Sequence, residues 1–118
     1  MVAEDPYIWY DARADKYYAI VRDVVRQYTG KESGGLALMQ SDDALEWTPV
    51  AYPKVLPPVL KFTDGTVYDT RESGGVERPF LYRNEEGVPQ LLFGAFGIHT
   101  RGIHREHSYN AAIPFHLP

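Results

Sequence analysis

Glu4-Asp5-Pro6-Tyr7-Ile8-Trp9 is answered 73 residues later by Glu77-Arg78-Pro79-Phe80-Leu81-Tyr82. Both stretches read glutamate, charged residue, proline, aromatic, aliphatic, aromatic. A polar turn follows each, Asp11 to Asp15 in the first and Arg83 to Gly87 in the second. A second apolar run then returns, Lys16 to Arg22 and Gln90 to Phe96. Aromatic and β-branched runs joined by polar turns predict hairpins. A hairpin recurring at one offset predicts a repeat architecture.

The rest of the chain fits around these hairpins. Gly30 to Gly35 reads as a loop, Leu36 to Gln40 as a third strand, Ser41 to Asp43 as a turn, and Leu45 to Thr48 as a short outer strand. Pro49, Pro53, Pro57 and Pro58 predict an irregular connection, because proline removes a ladder donor. Val59 to Phe62 and Asp64 to Val67 predict another hairpin, with Asp64-Gly65 at its turn. Thr70 to Gly75 is a loop, and a last strand is expected from Tyr109 to Phe115. Tyr18 to Tyr28 carries apolar residues at 20, 21, 24 and 25, but its start is too rich in aromatic and β-branched residues for a helix. Arg101 to Ser108 is compatible with a turn or short helix.

A repeated strand-turn-strand-loop-strand unit is how a propeller blade looks in sequence. The expected fold is therefore all-β: two four-stranded antiparallel blades of a β-propeller in a single partial domain, 1–118. Blade one spans about 4–50, a connection and hairpin 51–75, and blade two about 76–118. A β-sandwich with a chance likeness between two strands is the alternative.

The composition narrows the partners. A net charge of -4 and a pI near 5.5 give no basic stripe for nucleic acid. No apolar run approaches the ~20 residues of a membrane helix. Cysteine is absent, which excludes disulfides and thiol chemistry. Met1-Val2-Ala3-Glu4-Asp5 is not a basic-then-apolar leader, so the compartment is cytoplasmic by default and secreted or periplasmic if a longer precursor exists. Aromatic residues make up 14% of the chain, enough both to fill strand cores and to offer stacking faces to sugars.

Several segments, in order, carry a resemblance. Glu4 to Asp11, Tyr18 to Asp23, Leu36 to Leu38, Ser41-Asp42-Asp43-Ala44-Leu45-Glu46-Trp47, Phe62 to Thr66, Val76 to Pro79, Gly87 to Phe93 and Ser108 to Asn110 are similar to segments of five-bladed propeller glycoside hydrolases of the family 43 and 117 type. Ala44 stands where those proteins usually have glycine. The resemblance implies carboxylates at the starts of innermost strands, aimed into a central pocket. Glycoside hydrolysis needs one carboxylic acid to protonate the leaving oxygen and one carboxylate to activate water or act as nucleophile. By this resemblance Glu77 is the general acid and Asp5 the carboxylate that tunes it. Trp9 and Arg78 are further pocket candidates.

In some family 117 relatives a histidine beside the glutamate is thought to act as the acid; here Val76 stands there. His104 and His107, three apart, are candidates for hydrogen bonding to sugar hydroxyls. They would form a metal pair only on a helix, and a solvated loop is the stronger reading, so no metal or other cofactor is expected. Asp23 reads as closing a turn.

A five-bladed propeller takes roughly 250–300 residues, on the order of 50–60 per blade. This chain covers about two blades, by resemblance the C-terminal ones, without the family's usual catalytic base. It is expected to be a piece of a larger hydrolase, a two-blade unit that joins further copies of itself, or an inactive relative. The expected partners are accordingly a carbohydrate ligand and either the missing blades or more copies of the chain. The expected function is hydrolysis of plant or algal polysaccharide. The alternative is a non-catalytic carbohydrate-binding or structural module.

Overall fold

A computed structural model describes residues 1–31, 35–70, 75–100 and 104–117, with the stretch 98–109 as backbone only. The described residues contain strands and turns and no helix. Nine strands follow in order: β1 (Ala3–Asp11), β2 (Lys16–Asp23), β3 (Leu36–Ser41), β4 (Thr48–Lys54), β5 (Val59–Lys61), β6 (Val67–Asp69), β7 (Val76–Arg83), β8 (Pro89–Thr100) and β9 (His104–Pro114). They form a four-stranded sheet β1-β2-β3-β4, a two-stranded ribbon β5-β6 and a three-stranded sheet β7-β8-β9, all antiparallel.

The repeat in the sequence is a repeat in the backbone. Glu4 pairs with Arg22 and Tyr7 with Ile20; at the same offset, Glu77 pairs with Ala95 and Phe80 with Phe93. The first strand of each sheet has its register shift at the matching place, between Glu4 and Tyr7 and between Glu77 and Phe80. Asp5 and Arg78, each just before a proline, both take a left-handed φ of 51°. An L-residue pays sterically for that conformation. Both copies adopt it because the bulge must re-aim the strand before its paired part begins.

Three expectations are corrected. The second sheet has three strands among the described residues, not four. The outer strand of the first sheet is β4, not Leu45 to Thr48. Residues 42–46 instead form bends in which Asp43 Oδ1 accepts hydrogen bonds from the Leu45 and Glu46 amides at 2.8 and 2.9 Å. Pro49 and Pro53 therefore lie in a strand. They are tolerated because β4 is an edge strand with an irregular register, the setting in which proline occurs within sheets. Finally, β9 begins at His104, so the short helix considered for 101–108 is absent from 104 onward; 101–103 lie outside the described residues.

Each sheet has two faces, set by strand alternation. Tyr7, Trp9, Tyr18, Ile20 and Leu38 share one face of the first sheet, here called its front. Ile8, Ala19, Val21, Ala37 and Met39 share its back. In the second sheet the matching front residues are Phe80, Tyr82, Leu91 and Phe93, and the matching back residues are Leu81 and Leu92.

The main core joins Trp9, Ile20, Leu36 and Leu38 to Leu81, Leu92, Val76 and Phe96, with Leu56, Leu60, Tyr68 and Phe115 closing it. The front of the first sheet thus packs on the back of the second. The β5-β6 ribbon seals one end. Tyr68 stands edge-on to Phe96 at 5.0 Å, and its hydroxyl donates to the Gly97 carbonyl at 2.9 Å. A smaller cluster of Ala19, Val21, Ala37 and Met39 on the back of the first sheet is covered by Tyr28 and Trp47.

Candidate functional site

The edge strands β1 and β7 meet where the two repeats begin. Arg22 lies on β2 directly across from Glu4, and its Nη1 reaches Glu4 Oε2 at 3.1 Å and Glu77 Oε1 at 3.2 Å. Glu4 and Glu77 are the equivalent glutamates of the two repeats, so one guanidinium nitrogen joins the matching positions of both sheets. The cluster is graded in exposure: side-chain values are 53% for Glu4, 29% for Arg22 and 17% for Glu77. The contact to Glu77 is the better shielded of the two.

Glu77 therefore stands at the junction of the sheets, half-buried. Asp5 is half-buried on the bulge of β1, and among the described residues its carboxylate has no hydrogen bond or ion pair. Arg78 is exposed and left-handed. Trp9 is 3% exposed: Tyr18 stacks on it at 5.5 Å and Tyr7 tilts against it at 6.0 Å. Its indole is core, so neither ring face is open to a sugar. The buried Trp9 Nε1 has no hydrogen-bond partner among the described residues.

His104 and His107 both lie in β9, which removes the helical spacing a metal pair would require. Their side chains lie outside the described residues. No group of three or more metal-ligating side chains occurs among the described residues.

The members that sequence reasoning missed are Glu4 and Arg22. The repeat itself carried a signal for Glu4, since it aligns with Glu77. Arg22 could have been found by pairing β1 with β2 in the register that the turn at 12–15 imposes.

The other acidic groups organise turns. Asp23 is 1% exposed. Burial pushes its carboxyl up, but the amides of Tyr28, Thr29 and Gln27 and the Thr29 hydroxyl donate to it and hold it below the usual carboxylate range. It closes the 24–29 turn, as expected. Asp11 follows the same logic: burial raises it, and the Arg13 guanidinium with the Arg13 and Ala14 amides outweighs that.

A cleft of about 360 Å³ lies along the junction, lined by Tyr7, Phe80, Leu81, Tyr82, Arg83, Asn84, Glu85 and Gly87. Another of about 460 Å³ is bounded by residues 62–66 and 110–112. Neither is lined by Glu4, Arg22 or Glu77. No family model, curated protein or solved structure matches the chain.

Proposed function

We propose that the two sheets are neighbouring propeller blades whose inner strands contribute part of a carbohydrate-processing site, with Glu77 as its proton donor. The observation that carries this reading is the Arg22 bridge between Glu4 and Glu77. It brings two carboxylates and a cation to the inner edge of adjoining repeats. Both carboxylate oxygens sit on one nitrogen, so the two groups are close enough for the acid and base roles of glycoside hydrolysis to be considered together. The packing of unlike faces supports the blade reading. A rotation from blade to blade puts the front of one on the back of the next, whereas a two-fold sandwich pairs like faces.

Arg22 imposes a condition. Its guanidinium occupies Glu77 Oε1, so substrate or a further chain segment must displace it before that oxygen can meet a leaving group. Asp5, with no partner among the described residues, then tunes or orients. The same contact favours a second reading, a non-catalytic carbohydrate-binding module, since an arginine-carboxylate cluster is also a ready hydrogen-bonding surface for sugar hydroxyls.

Hydrolysis of aryl glycosides and polysaccharides, measured for wild type and Glu77→Gln, separates the two. Turnover that vanishes in Glu77→Gln supports the hydrolase. Glycan binding without turnover, unchanged in Glu77→Gln, supports the binding module. Neither turnover nor binding across a broad panel overturns both.

A further inference from the structure

The packing inside the chain leaves two matching faces open. The front of the first sheet is covered by the back of the second. Among the described residues the front of the second sheet is covered only at its margin, where Phe80 meets Tyr7 edge-on at 5.1 Å; Phe80 remains 56% and Tyr82 54% exposed. These are the counterparts of Tyr7 and Trp9, which the internal interface half-buries and buries. The back of the first sheet is open at its inner strand, where Ile8 is 52% and Tyr10 45% exposed. Ile8 is the counterpart of Leu81, which is 1% exposed inside the chain. Among the described residues, Tyr28 and Trp47 cover the outer part of that face.

Half-exposed aromatic and aliphatic side chains grouped on one sheet face mark an interaction surface. The chain itself shows what covers such a face, because its internal junction is a front packed on a back. We infer that a second copy of this chain covers it, the open front of one copy (Phe80, Tyr82) packing on the open back of the next (Ile8, Tyr10). The two patches differ, so the contact is head-to-tail. Head-to-tail contacts either close into rings or propagate. Closure at about two to four copies gives the even sheet numbers within the propeller range. This inference rests on the equivalence of the repeats and not on any sugar chemistry, so its failure leaves the Glu77 test standing.

The experiment is sedimentation equilibrium of the full chain and of two double variants, Phe80→Glu with Tyr82→Glu, and Ile8→Glu with Tyr10→Glu. All four side chains are half-exposed, and circular dichroism checks that the variants keep their strands. The wild type is expected to exceed the 13.4 kDa of one chain with rising concentration. Each variant alone is expected to be monomeric, its association weakened by about 30-fold or more. Mixed in equal amounts, the two variants are expected to form a dimer and nothing larger, because each retains the patch the other lacks. A wild type that stays monomeric overturns the inference. So does loss of assembly in only one variant, which indicates like faces meeting. So does a mixture that remains monomeric.

Discussion

Asp5 and Arg78 share a backbone conformation though they share no chemistry. Both have φ 51°, both precede a proline, and both sit in the bulge near the start of the first strand of their sheet. An acid and a base in the same strained position show that the position is a requirement of the repeat and not of either side chain. Glycine takes that φ without penalty. Arg78→Gly is therefore expected to keep stability or raise it by up to about 1 kcal/mol, and Arg78→Val to lower it by about 1–2 kcal/mol. Urea midpoints of the two variants decide this.

The Arg22 cluster predicts unequal couplings. Glu77 is the more shielded partner and Glu4 the more exposed. A double-mutant cycle of Arg22→Met with Glu77→Gln is expected to give about 1 kcal/mol. The cycle with Glu4→Gln is expected near a surface pair, at most about 0.5 kcal/mol. Denaturation at low and at high salt provides the check, with the Glu4 coupling fading first.

Asp23 predicts acid lability. Its folded carboxyl titrates below the ordinary value of 3.8, so the unfolded chain takes up the proton first as pH falls. Its contribution is full above the unfolded value and is lost as pH drops through that value to the lower folded one. Asp11 adds to the same window. Asp23→Asn keeps the shape but turns an acceptor into a donor facing N–H groups, at a cost of about 2–3 kcal/mol near neutral pH. The stability-pH curve of that variant is expected to be flatter below pH 4 than that of wild type.

Ala44 predicts a gain. It stands at φ 63° in the turn organised by Ser41 and Asp43, the conformation glycine prefers. The alanine departs from the resembled pattern while the turn geometry is kept. Ala44→Gly is expected to stabilise by about 0.5–1 kcal/mol, read as a rise in Tm.

Gly94 predicts a loss. A Cβ there would collide with Val76 Cγ1 across the back of the second sheet. Gly94→Ala is expected to cost about 1–3 kcal/mol by overpacking, and Val76→Ala to relieve part of it. Chemical denaturation of the two single variants and the double variant measures the compensation.

The strand content was legible because period-two alternation and turn chemistry are local properties. The hairpin at Glu4 to Asp23, its copy at Glu77 to Phe96, and the Asp64-Gly65 turn all follow from neighbours in sequence. The edge strand through Pro49 and Pro53 was not legible. Whether a missing donor matters depends on which side of a strand has a partner, and only the assembled sheet decides that. The same holds for the site. The repeat marked the equivalence of Glu4 and Glu77, since like residues at like positions need no coordinates, while a role for Glu77 came only from the resemblance. It could not show that Arg22 reaches across to Glu77, or that Trp9 is walled in while Phe80 and Tyr82 are open. Those outcomes depend on which face of one sheet meets which face of the next, a long-range packing choice that alternation along a single strand leaves undetermined.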